Sequence, residues 1–251
     1  MSANKVVRVL VWDENPPHAP KDIYPQSING AVAEGISKFG GQNVSVSLAN
    51  MDDPDQGVSE ETLSNTDVLV WWGHMFHERV SDESVERVVD HVHNRGMGFV
   101  ALHSAHFSKT FKAVVQGTGN LKGGWRENNP PESEFIRVCA PWHPIAQGIE
   151  DFTLEHEEYY GAPFDVPPPL EVIFQSYFPL DGRTFPSGLT WTVGPGKTEG
   201  FVCGPGEGVG EGYGNGRVFY FRPGHETIPT YYNETIQRII TNGVLWCVKR
   251  S

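Results

Sequence analysis

Six histidines, His18, His74, His77, His103, His106 and His225, stand at or shortly after the ends of short β-branched and aromatic runs. The runs are VVRVLVW, DVLVWWGH, GFVALHSAH and GRVFYFRPGH. Imidazole changes charge near neutral pH and ligates zinc and other late first-row metals, so histidines drawn from separate segments point to metal binding or proton transfer. A catalytic zinc site commonly takes three protein ligands, often including a carboxylate, and keeps one position open. His74, His103 and His225 are the expected Zn2+ ligands, with His18 in reserve. The sequence has no HExxH or comparable local spacing, so the fold itself must assemble such a site.

Other residues extend the chemistry. His106 and Lys109, in HSAHFSKTF, are candidate proton-transfer groups just after His103. Trp125 and Arg126, in KGGWREN, pair an aromatic face with a charged donor, as a sugar requires: its ring stacks while its hydroxyls seek polar partners. Tyr160 and Tyr231 are further candidates for the same purpose. EHEEYYG sets Glu157, Glu158 and Tyr160 together, where a carboxylate can act as acid, base or ligand if the segment is not simply an acidic surface turn. Ser104 is a poor nucleophile candidate, because ALHSAH lacks the glycines of GxSxG that permit a tight elbow. His91 and His93 lie on a helical pattern, face different ways and are expected at the surface. The stretch GPGEGVGEGYGNG has no following Lys-Ser/Thr and reads as a long hairpin loop rather than a phosphate cradle.

The elements that must position these groups are legible. VVRVLVW, NVSVSLA, TDVLVWWGH and GFVALHSAH read as strands; helical patterns occupy IYPQSINGAVAEGISKFGG and SDESVERVVDHVHNRG, with a short helix at ETL. Strands alternating with helices imply a parallel sheet covered on both faces, whose ligand site lies beyond the carboxyl ends of the strands. From about residue 117 the chain turns β-rich and loop-rich, then closes with an aromatic strand and the helical pattern YYNETIQRIITNGVLWCV. The 251 residues are read as one domain, long enough to bury about 75% of the unfolded surface.

Charge and composition narrow the partners. A net charge of −12 excludes a polyanionic partner such as nucleic acid. Cys139, Cys203 and Cys247 show no CxxC spacing and no apolar leader is evident, so a reduced, cytoplasmic setting is expected. No apolar run approaches the roughly 20 residues of a membrane span. A symmetric homo-oligomer is the default expectation.

IYPQSINGAV, DVLVWWGH, GFVALHSAHFSK, WREN, HPIAQGI, EEYYGAPFDVPPP and GRVFYFRPGHETIPTYY together resemble the ThuA-like, trehalose-utilisation family over nearly the whole chain. The resemblance implies a flavodoxin-like α/β fold of the class I glutamine amidotransferase type, a mostly parallel sheet between helices. It places His103 where the amidotransferase cysteine would stand, with Ala101 and Ala105 in place of glycines, and His225 where the triad histidine would stand, followed directly by Glu226. Glutaminase activity through a thioester is therefore excluded, and Glu158 becomes the preferred acid/base. The resemblance further implies a small-molecule sugar ligand, a disaccharide or its oxidised keto form. Three readings follow: a metal-dependent hydrolase, lyase or isomerase; a non-catalytic sugar-binding accessory to a sugar oxidoreductase; or a metal-independent hydrolase in which His103 or His225 is the base.

Overall fold

The computed structural model describes residues 6–128, 131–195 and 216–248. Its first half runs β1 (Val7–Asp13), α1 (Ser27–Gly40), β2 (Val44–Asn50), α2 (Glu60–Ser64), β3 (Val68–Trp72), α3 (Asp82–His93), β4 (Gly98–Leu102) and α4 (Lys109–Val115). The second half runs β5 (Asn120–Leu121), β6 (Trp125–Arg126), β7 (Glu132–Val138), β8 (Phe152–Glu157), β9 (Tyr159–Tyr160), β10 (Phe164–Asp165), β11 (Glu171–Phe178), β12 (Arg183–Val193), β13 (Gly216–Phe221) and α5 (Glu234–Cys247).

Nine strands share one sheet in the order β2-β1-β3-β4-β13-β12-β11-β7-β8. The five strands from β2 to β13 are parallel, and their order is the flavodoxin-like one. The remaining four extend the sheet antiparallel, which accounts for the β-rich second half. Strands β3 and β4 are buried along their full length, as continuous apolar runs covered on both faces must be. One core layer lies beneath α1 and α5, and a second, holding the stacked Trp12–Trp71 pair at 3.7 Å, beneath α2, α3 and α4.

Helix starts follow local chemistry. Ser59, Ser81, Ser108 and Asn233 accept from the first-turn amides of α2, α3, α4 and α5. Helix α1 begins at Ser27, later than the apolar pattern from Ile23 suggests, because Pro20–Pro25 forms turns and its first turn is instead bonded from the end of β1. There Asp13 Oδ2 accepts from Ser27 Oγ at 2.5 Å and from Asn29 N at 3.0 Å. His91, expected at the surface, is 2% exposed and meets Glu60 at 3.1 Å, since it continues the Ser84, Val85, Val88 face of α3. The stretch GPGEGVGEGYGNG and Cys203 lie outside the described residues; Cys139 and Cys247 are free thiols. No helix among the described residues is long and apolar enough to cross a membrane.

Gly224, between β13 and the segment carrying His225, sits at φ +132, where a Cβ would meet Tyr231 Oη at 2.0 Å. Gly224→Ala should therefore cost at least about 2 kcal/mol, from backbone strain and overpacking together. Urea unfolding measures this, and a variant within 0.5 kcal/mol, roughly the effect of an inert surface change, would refute the close approach.

Candidate functional site

Three neighbouring parallel strands deliver the cluster. His74 follows β3 by one glycine, His103 follows β4 directly, and His225 follows β13 after Arg222, Pro223 and Gly224. The three rings form a near-equilateral triangle, with centroids 5.3 Å (His74–His103), 5.0 Å (His74–His225) and 5.5 Å (His103–His225) apart. Glu226 completes the group: one ligand atom from each of the four residues lies within 4.8 Å of all the others.

The turn at His103 is the tight feature. His103 has φ +54, a left-handed conformation that only a few per cent of non-glycine residues adopt, Asn, Asp and His more often than the rest. An elbow thus forms without flanking glycines, because Ala101 and Ala105, both fully buried, are small enough to pack there. Trp72 lies nearly parallel to the His103 ring (6.3 Å, 12°), and its indole N–H donates to the Gly224 carbonyl at 3.1 Å, tying the β3 and β13 ends together.

Second contacts set the direction of each ring. His103 Nδ1 lies 3.3 Å from the Arg222 carbonyl and Nε2 lies 3.5 Å from Glu158 Oε2. A proton on Nδ1, donated to the carbonyl, leaves the Nε2 lone pair facing the cluster. His225 Nδ1 lies 2.8 Å from Thr227 Oγ1 and accepts from the Thr227 backbone N–H at 3.2 Å, which fixes that ring. Glu226 Oε1 meets His74 Nδ1 at 2.8 Å and His18 Nε2 at 3.0 Å. The His74 nitrogen is close but off the line of a hydrogen bond, and Glu226 Oε2 and Glu158 Oε2 are buried with no hydrogen-bond partner. Three imidazoles, one carboxylate and orphaned buried acceptors are a donor set that a zinc ion fits.

Burial and neighbouring charge act differently on each group. Burial, then the charges of His74 and His225, push His103 well below the usual imidazole range, so it is neutral. Burial also lowers His225. Burial opposes ionisation of Glu226, but the His74 contact and the charges of His225 and His74 hold its carboxyl down at about 2. Burial opposes protonation of His74, yet Glu226 raises its pKa overall. Glu158 behaves oppositely: burial pushes it up to about 8 against the pull of His74 and Arg222.

The remaining sequence candidates divide. Tyr160 is at the site, its hydroxyl bonded to Ser104 Oγ and 3.4 Å from His103 Nδ1. Trp125 pairs with Tyr160 across a two-stranded ribbon and is 62% exposed. His106 is turned into an aromatic pocket with Phe107, Tyr160, Phe164 and Tyr220, its Nδ1 bonding the Gly119 carbonyl at 2.6 Å. Lys109 is paired with Asp82 at 2.7 Å. Arg126 is paired with Glu132 and Asp181, both at 2.8 Å, and Tyr231 is fully buried against Gly224. EHEEYYG is no surface turn: Glu157 and Glu158 are 1% and 3% exposed.

Sequence reasoning assigned no role to three contributors. Glu226, next to His225, is the fourth member of the cluster, and the adjacent acid in PGHET was its signal. Glu157 accepts from Gly224 N and Thr230 Oγ1, both at 3.0 Å, and so fixes the segment bearing His225. Fully buried Arg222 donates to the Glu158 carbonyl at 2.6 Å and to Glu134.

Burial drives His106 down to about 3. Its folded pKa lies below the unfolded 6.5, so its contribution to stability is complete above about pH 6.5 and is lost as pH falls toward 3. His106→Asn keeps a donor for the Gly119 carbonyl and cannot charge. Between pH 6 and 4 it should flatten the stability slope by about 1.4 kcal/mol per pH unit, one proton's worth. Urea midpoints across that range measure the slope, and an unchanged value would mean that His106 charges freely in the folded protein.

Comparison with known proteins adds an independent line. The family model ThuA, described as trehalose utilisation, matches residues 8–247. No curated protein sequence matches the chain. A Parabacteroides merdae protein described as ThuA-like superposes with a TM-score of 0.61 at 16% identity, covering 98% of this chain and 93% of that one. A Bacteroides uniformis protein with the same description gives 0.59 at 15% identity, covering 100% and 95%. At these identities the two structures corroborate the fold alone.

Proposed function

The chain belongs to the ThuA family, of trehalose utilisation, and from that premise we propose that it is a sugar-utilisation protein whose His74, His103, His225 and Glu226 hold one Zn2+ ion. The convergence of those four ligand atoms within 4.8 Å, at the carboxyl ends of three adjacent parallel strands, carries the reading. When bound, zinc supplies a Lewis acid that polarises a sugar carbonyl or hydroxyl.

Glu158 moves the proton. Its Oε2 is buried, has no hydrogen-bond partner and faces His103 Nε2 at 3.5 Å. Burial raises the carboxyl's pKa in the free protein, and a bound dication beside it would favour the carboxylate, the form that accepts a proton. As carboxylate it takes the proton on the carbon beside the carbonyl of a keto-sugar. The C–H bond breaks, the proton passes to Glu158 Oε2 and the electron pair moves onto the carbonyl oxygen; return of the proton restores the sugar. Arg222 holds the Glu158 backbone for this role through its 2.6 Å bond to the carbonyl.

Elemental analysis of the purified protein, followed by incubation with oxidised trehalose in D2O, tests both halves. One zinc per chain is expected, with loss of the proton signal beside the carbonyl faster than in buffer. Glu158→Gln should keep the zinc and lose the exchange. Absence of zinc together with absence of exchange would sink the reading, whereas zinc and sugar binding without exchange would move it to an accessory that presents sugar to an oxidoreductase.

A further inference from the structure

The β6–β9 ribbon carries a feature that zinc chemistry does not use. Trp125 lies directly opposite Tyr160 in this antiparallel pair, and residues so paired project from the same face of the ribbon. Tyr160 is buried with its hydroxyl 3.4 Å from His103 Nδ1, while Trp125 beside it is 62% exposed. A large indole thus stands at the rim of the cluster, one side chain outward from the ring that touches it.

The ribbon is built to stay still. Arg126 turns to the other face, where its guanidinium lies 3.7 Å over the Tyr159 ring and pairs with Glu132 and Asp181. Gly123 and Gly161 pack backbone against backbone, so closely that a Cβ on either would lie 2.4 Å from a carbonyl oxygen of the other strand.

From this juxtaposition we infer that Trp125 forms a second sugar subsite, which stacks the outer ring of an uncharged disaccharide while its inner ring lies at the histidine cluster. A pyranose presents C–H groups on one face, which pack on an indole. Glu158 and Glu226 are buried at the cluster and the whole chain carries −12, so a sugar phosphate is disfavoured. The inference rests on the proposed sugar-utilisation role and adds to it the length and charge of the ligand.

The test titrates trehalose, glucose and trehalose 6-phosphate into the zinc-loaded protein, by calorimetry and by saturation-transfer NMR, and repeats this with Trp125→Ala and Trp125→Phe. Trp125→Ala should weaken trehalose by at least about tenfold and leave glucose within about twofold, with Trp125→Phe between. Zinc content should be the same in all three proteins. Unchanged trehalose affinity, equal losses for trehalose and glucose, trehalose 6-phosphate binding as tightly as trehalose, or no trehalose binding to the parent protein would each overturn the subsite. If the purified protein proves free of zinc while the Trp125 pattern persists, the metal assignment fails and the subsite stands.

Discussion

His103→Ala is expected to purify folded but to bind zinc more than about 100-fold more weakly than the parent protein, beyond the 10–100-fold typical of losing an outer-shell partner. His103 is one of the four residues whose ligand atoms converge, and the only one on the elbow itself. No nearby side chain replaces it: His18 is spent on Glu226, and His106 points into its aromatic pocket with Nδ1 on Gly119. Competition with a chromophoric chelator gives the affinity, and elemental analysis after dialysis gives the stoichiometry. His77→Ala is the matched control, since His77 lies 3.2 Å from Glu14, outside the four-residue group, and should keep full zinc. Stoichiometric zinc in His103→Ala would remove the metal from the elbow.

Arg222→Met should lose about 3–5 kcal/mol of stability. Arg222 and Glu134 are both fully buried, and their ion pair is joined by Ser176 Oγ, which donates to Glu134. Taking away the guanidinium leaves a carboxylate that burial already pushes up to about 7, with no cation to offset its desolvation. It also frees the Glu158 carbonyl and removes the cation from over the Tyr160 and Phe178 rings, 5.5 and 5.4 Å away. Adding Glu134→Gln, which keeps the Ser176 bond and removes the charge, should recover more than half of the loss. Urea unfolding of the two single variants and the double variant closes the cycle. Equal stability of Arg222→Met and the double variant would show that the stranded charge is not the cause.

The parallel half of the fold was readable because each strand is a short continuous apolar run followed by a loop and an amphipathic helix, and periodicity records that directly. His74, His103 and His225 were readable for the same reason, since residues at the ends of parallel strands share an edge whatever their distance in sequence. Side-chain direction was not readable from that rule. Lys109 and Arg126 lie close to the site in sequence, yet Asp82, Glu132 and Asp181 claim them. Tyr231 is turned inward by its contact with Gly224. Glu134 left a trace, because it alternates with inward Glu132 and Ile136 along β7, but a buried carboxylate is only credible once Arg222 is seen opposite it. Glu157 and Glu158 are adjacent and both buried, which simple strand alternation forbids; the break between β8 and β9 permits it.

The left-handed turn at His103 separates two things that usually vary together. Its backbone path is set by β4 and by the small buried residues Ala101 and Ala105, neither of which depends on an imidazole being there. Position 103 therefore works as a socket: the turn presents whatever side chain is installed to the end of the sheet, already desolvated and aimed.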